Sequence, residues 1–252
     1  MTGREHAEPP STCEWAEATG GALDPVQRRR VVRAIARGYL DIGVGVVTRP
    51  LRRPVPVALP TAPDSKLARE AESAARDQGA ALAGHSYRTW LLGHALACQD
   101  RQILDPELFY VAALLHDAGI VRVVAGEDFT IRSARVVSEV AARARPEDSS
   151  LATSLADSVV AHATPGLSAD VDPIGFYVQV GAMADLAALR RWDLPRGYAD
   201  RAYRAHPAND VFNVVAASIT AEARAVPLGR FAMLRRAGMP LMVKFSPNRR
   251  LG

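Results

Sequence analysis

Cysteine is nearly absent: Cys13 and Cys98 are the only two in 252 residues. That excludes a disulfide framework, and their spacing fits neither a zinc knuckle nor a redox pair. A reducing, cytoplasmic setting is the expectation. No uninterrupted apolar run reaches the roughly 18 residues of a membrane span, and the opening MTGREHAEPP lacks the apolar stretch of a secretory signal. Lysine is scarce too, since of the 31 cationic side chains only Lys66 and Lys244 are lysines. The net charge of +4 therefore rests on arginines scattered along the whole chain, which is poor evidence for a nucleic-acid partner. What the chain does have is 48% hydrophobic and 23% charged residues. Those are globular proportions that exclude disorder and collagen-like repeats.

Convincing period-two alternation is also missing, and the pattern from Ser65 onward is helical, so the body is expected to be all-α. Residues 1–23 are small, polar and acidic, and read as a flexible leader without function. Residues 24–64 read as an N-terminal helix followed by an extended arm. Asp24-Pro25 is a helix start with a capping acid and a proline at the first position, and apolar residues follow at helical spacing. Arg30, Arg33 and Arg37 fall on other faces of that helix and read as a solvated charged surface. From Gly43 to Pro63 five prolines argue for an extended strap. Residues 65–240 form the helical body and 241–252 a tail. Helices are predicted near 24–41, 65–82, 84–99, 105–117, 130–144, 149–163, 172–190, 209–224 and 227–237. Asp105, Thr130, Asp148, Asp172 and either Asn209 or Asp210 are candidate caps.

Six histidines are candidates for chemistry. His116 and Asp117 close an apolar helix just before Gly119, and a buried carboxylate there needs compensation, which a cation can supply. An Asp bonded to local backbone beside a packed His is the ordinary account of a single such pair. His85 opens the segment GHSYRTWLLGHAL with Arg88 three residues on and on the same face. His94, nine residues from His85 at about 100° per residue, points away and is excluded as a ligand. His162 ends another apolar helix, and Asp185 interrupts an otherwise apolar one, where an acid needs a partner. Ser86 and Cys13 lack the surroundings of an activated nucleophile.

The order H, HD, H, D on successive helices resembles the HD domain superfamily of metal-dependent hydrolases, over roughly residues 65 to 190 with weaker support to about 235. It is most similar to the cyanamide hydratase-like branch, through His85-Ser86-Tyr87-Arg88, Ala112-Ala113-Leu114-Leu115-His116-Asp117-Ala118-Gly119, the Phe129-to-Ala134 segment and Ala182-Met183-Ala184-Asp185. The resemblance implies a helical bundle whose metal ligands are His85, His116, Asp117 and Asp185, with His162 facing the pocket. Two departures stand out. Thr130 occupies a position where that branch carries Glu, and no histidine lies between Asp117 and His162, where dinuclear members carry a second-metal ligand. One metal is therefore expected, with Glu139 and Asp157 as the acids that could replace the missing histidine.

Two imidazoles and two carboxylates suit one divalent transition metal, with Fe, Zn, Mn, Co and Ni all compatible. Such an ion acidifies a water, Asp117 or Asp185 orients it, Arg88 binds a polar or anionic substrate group and His162 moves a proton. Trp90, Phe109, Phe129 and Phe176 are candidate pocket walls. The leading expectation is a hydrolase or hydratase adding water to a small nitrile- or cyanamide-like molecule. A nucleotide phosphomonoester phosphohydrolase, with Arg122 and Arg132 helping Arg88, is the alternative within enzymes. Outside enzymes the alternatives are a non-catalytic metal-stabilised binding or regulatory module, and a nucleic-acid binder acting through Arg28, Arg29, Arg30, Arg33 and Arg37. A small-molecule substrate is expected, with no nucleic acid and no membrane as partner; homo-oligomerisation stays open.

Overall fold

A computed structural model describes residues 10–251, so the first nine residues of the expected leader lie outside the described part. Among the described residues there are twelve α-helices and no strand. In order they are α1 (Cys13–Thr19), α2 (Pro25–Thr48), α3 (Lys66–Asp77), α4 (Ala80–Gln99), α5 (Pro106–Leu115), α6 (Phe129–Ala144), α7 (Ser149–Ala161), α8 (Pro173–Ala187), α9 (Tyr198–Ala205), α10 (Val211–Ala225), α11 (Arg230–Arg236) and α12 (Met239–Lys244). The all-α expectation holds. Starts are set by short acidic and hydroxyl side chains that accept from otherwise unpaired N–H groups. Asp24, Asp105, Asp148 and Asp172 cap α2, α5, α7 and α8. Asp128, not Thr130, caps α6, and Asp210, not Asn209, precedes α10.

The crossing between α4 and α8 is made by glycines. A Cβ on Gly181 would stand 2.3 Å from the Thr89 carbonyl oxygen, and one on Gly93 2.5 Å from that of Tyr177. With no side chain on either helix at this point the backbones come close enough for His85 and Asp185 to meet. Gly119 does the same where the His116-Asp117 corner meets α6. A Cβ there would fall 2.1 Å from the Phe129 carbonyl oxygen, and its N–H donates to Ser133 Oγ at 2.8 Å.

Two expectations outside the bundle need correction. Residues 10–23 are not a free leader: α1 buries Trp15 and Ala16 in the core, and the Leu23 N–H donates to the Leu228 carbonyl at 3.1 Å. Arg230, itself fully buried, lies over the Trp15 ring at 5.1 Å and donates to the Pro10 carbonyl at 3.2 Å. The N-terminal helix runs on through Gly43 to Thr48, and the Trp192 ring lies against it at Gly45, where a Cβ would collide at 2.2 Å. Only the following stretch, 52–63, is extended, pinned where Gln99 exchanges two hydrogen bonds with Val55. The tail over residues 241–251 is packed against the bundle, with Val243 and Asn248 buried and Asn248 Nδ2 donating to the Ala184 and Asp185 carbonyls at 2.8 Å each.

Candidate metal centre

His116 and His162 occupy equivalent places, each following the last residue of an apolar helix, α5 and α7 respectively. Helix ends leave carbonyls without partners, and both rings use this. His116 Nδ1 donates to the Ala113 carbonyl at 2.8 Å, and His162 Nδ1 to that of Val159. A carbonyl can only accept, so each ring carries its proton on Nδ1 and presents a bare Nε2 lone pair inward. His85 reaches the same state by another route. On α4 it donates Nδ1 to Asp185 Oδ2 at 2.8 Å, which likewise leaves Nε2 bare.

These three Nε2 atoms surround one carboxylate. Asp117 Oδ2 lies 3.6 Å from His85 Nε2 and 3.5 Å from His116 Nε2, while Oδ1 lies 3.8 Å from His162 Nε2. Good hydrogen bonds are shorter than this, and the Nε2 atoms of His85 and His116 are buried with no partner. Two orphaned lone pairs and a buried carboxylate are the donor set a cation satisfies. Around an ion with bonds of about 2.0–2.2 Å, neighbouring ligand atoms lie roughly 3–3.5 Å apart. His85, His116 and Asp117 fit that requirement, with ligating atoms within 4.8 Å of one another, and they are the one such group among the described residues. They could hold a divalent metal ion.

Electrostatics agree with a cation-ready cage. Burial pushes the imidazole of His116 down, and that of His162 down to about 3, so both stay neutral. His162 was expected to move a proton near neutral pH. Burial disfavours the charged form of its imidazole, which leaves Nε2 as a lone-pair acceptor facing Asp117.

Asp185 and Arg88 are also placed differently from expectation. Arg88 is fully buried. Its Nε and Nη2 donate to the two oxygens of Asp185 at 2.7 and 2.9 Å, and its Nη1 to the His206 and Pro207 carbonyls. Burial acts on Asp185 upward, but Arg88 and then His85 bring its carboxyl down to about 2. Both oxygens are thus committed, and Asp185 stands behind His85 as the group that orients the ring. Neither Asp185 nor Arg88 lines the cavity described below, so Arg88 has no hand free for substrate.

Two residues unflagged by sequence hold this pair. Tyr203 lies with its ring 4.7 Å from the Arg88 guanidinium carbon and donates its hydroxyl to the Asp185 carbonyl, and Asn248 grips the same carbonyl. Tyr203 sits on α9, a short helix whose amphipathic pattern alone could have revealed it. The other expected donors are engaged or remote. Arg132 is bound to Gly119, Glu127 and Glu222, and Arg122 is exposed away from the cavity. Asp157 accepts the Cys13 N–H at 2.8 Å and Glu139 is an exposed surface acid, so neither supplies a second-metal ligand. Thr130 receives Arg230 at 2.7 Å inside a buried network rather than facing the cavity.

His85, His116, Asp117 and His162 line a cavity of about 770 Å³. Its walls include α2, the α7–α8 connection, α8, α10 and α11. Tyr39, Trp192 and Phe231 are its aromatics; Trp90, Phe109, Phe129 and Phe176 are not among its lining residues. His94, excluded as a ligand, lies in a separate pocket beside Cys98.

The helical bundle thus brings together, on the wall of one cavity, a buried donor set that could hold a metal ion. Residues 82–192, from α4 through α8 and so containing every ligand candidate, match the family model of the HD domain. HD domains bind divalent metals, and the family is generally one of metal-dependent hydrolases. No curated protein matches this chain, so no relative supports the resemblance to the cyanamide hydratase-like branch. No helix among the described residues is long and apolar enough to cross a membrane.

Proposed function

We propose that this protein is a metal-dependent hydrolase with one divalent transition metal, acting on a small organic molecule that enters the cavity. The observation that carries this reading is the pair of buried, unpartnered Nε2 atoms of His85 and His116 facing the Asp117 carboxylate at the cavity wall. His85, His116 and Asp117 hold the ion, and when bound it supplies Lewis acidity and a water acidified toward neutral pH. Asp117 Oδ1, directed to His162, accepts a hydrogen bond from the attacking water and orients it. His162, neutral and fixed through Nδ1, offers Nε2 as a second acceptor on the same side. Asp185 and Arg88 keep the His85 ring in the right tautomer.

The size of the cavity bears on the substrate. Sites for drug-sized ligands measure roughly 300–1,000 Å³, and 770 Å³ is far more room than cyanamide or a short nitrile fills. The nitrile- or cyanamide-like substrate is therefore set aside in favour of a larger one. The test is a panel of esters, amides, nitriles and phosphomonoesters offered to protein loaded with Fe, Zn, Mn, Co or Ni in turn. Turnover that chelation removes and the same metal restores, and that His116→Ala lacks while folded, is the expected result. Turnover untouched by both treatments would refute the reading.

A further inference from the structure

The wall that α2 contributes to the cavity carries a feature the metal centre does not explain. Arg30, Arg33 and Arg37 all line it. At about 100° and 1.5 Å per residue they form one stripe about 60° wide and about 10 Å long. No ion pair or hydrogen bond occupies any of the three guanidiniums among the described residues. The buried and half-buried arginines of this protein, Arg88, Arg132, Arg190 and Arg230, all hold carboxylates or carbonyls, whereas these three are exposed on the cavity wall. Like charges three and four residues apart cost a helix stability, and the stripe has Asp41 as its one acidic neighbour on that wall. The rest of the wall is apolar, including Ile35, Ile42, Ile219, Phe231, Leu234 and Met242. The amide of Gln179 is spent on the His162 and Thr164 carbonyls.

We infer that the substrate is an amphipathic anion, with an apolar body held in the cavity and an acidic group on Arg30, Arg33 and Arg37. A free phosphate would leave the apolar wall wet, and a neutral hydrocarbon would leave three guanidiniums unused. A polar nucleoside would find few partners on this wall. The inference rests on the hydrolase reading in taking this cavity as the substrate site. The acidic group is the anchor, held at the α2 wall, and the bond to be hydrolysed lies on the part of the molecule that reaches the His-Asp cage.

The test is calorimetric titration of the full chain with decyl phosphate below its micelle concentration, beside decanoate, decanol and inorganic phosphate. Decyl phosphate and decanoate are expected to bind at least about tenfold more tightly than decanol, with affinity falling as salt rises. Inorganic phosphate should not register at millimolar concentration. Arg33→Gln combined with Arg37→Gln, both exposed positions that leave the core untouched, should weaken the two acids about tenfold and leave decanol unchanged. Quenching of Trp192, the tryptophan on the cavity wall, reports the same event. His116→Ala should keep the binding, because the anchor is α2 and not the ion.

Decanol binding as tightly as the acids would overturn the inference. So would an unchanged affinity in the double variant, binding that vanishes with His116→Ala, or inorganic phosphate binding as well as decyl phosphate. Failure of the hydrolase reading looks different: amphiphile binding would persist in protein that takes up no metal. Metal uptake without amphiphile binding overturns this inference alone.

Discussion

Replacing Asp185 by leucine removes the one carboxylate that receives Arg88 at 2.7 and 2.9 Å and His85 Nδ1 at 2.8 Å. Arg88 and Asp185 are both fully buried, so the guanidinium would be left with only two backbone carbonyls and no counter-charge. Breaking a buried pair from one side costs about 3–5 kcal/mol. For a chain of this size that lowers Tm by roughly 10 °C or more. Arg88→Met alone should cost a similar amount by stranding the carboxylate. The double variant, Arg88→Met with Asp185→Leu, removes both charges and should recover most of the loss, because an apolar pair avoids the desolvation that the ion pair only offsets. Metal uptake separates two roles for Asp185. As the group that orients His85, its loss should weaken metal binding about 10- to 100-fold while leaving one equivalent bound at high metal. The assays are urea unfolding of chelated protein for all four species and metal titration of the double variant. A double variant as unstable as the singles would refute the buried-pair argument, and one that binds no metal at all would make Asp185 a ligand.

Gly119→Ala must push a Cβ into the Phe129 carbonyl and the Ser133 nitrogen, both backbone atoms of α6. A loss of about 3 kcal/mol or more is expected from overpacking, and thermal unfolding near wild-type would contradict it. Glu222 is buried beside Arg132 with Oε2 unpartnered, and burial raises its carboxyl from 4.5 to about 7. A raised folded-state value means its contribution is complete below pH 4.5 and lost as pH climbs through 7. Between pH 5 and 8 wild-type should therefore lose up to about 3 kcal/mol relative to Glu222→Gln. Urea midpoints of the two proteins that move in parallel across that range would count against it.

Local chemistry made much of the fold readable. Asp24-Pro25, Asp105-Pro106 and Asp172-Pro173 start helices because cap and proline act within a single turn, and each does so in the structure. His116 and Asp117 were recognisable because a charged pair closes an apolar helix. What escaped depended on distant partners. Trp15 looked idle in a polar segment because its partner, Arg230, lies 215 positions further along the chain. The five prolines from Gly43 to Pro63 argued for an extended strap throughout, yet the helix runs on to Thr48, just short of the first of them, with Trp192 packed against Gly45. The spacing of His85 and Arg88 correctly put them on one face. It could not show that Asp185 would turn to Arg88 rather than to a metal, because that choice depends on how closely Gly93 and Gly181 let two helices approach. Arg30, Arg33 and Arg37 read as a solvated surface because nothing in their own helix reveals the cavity it covers.

The most direct test of the central claim is the metal content of chain purified without chelator or nickel affinity resin, by inductively coupled plasma mass spectrometry, beside His116→Ala, Asp117→Ala and the Arg88→Met, Asp185→Leu double variant. About one equivalent of a transition metal in wild-type, absent from the two single variants and recoverable in the double variant at high metal, is the predicted result. No metal in wild-type, even after incubation with each divalent ion, would contradict the account, and two equivalents would contradict its single site.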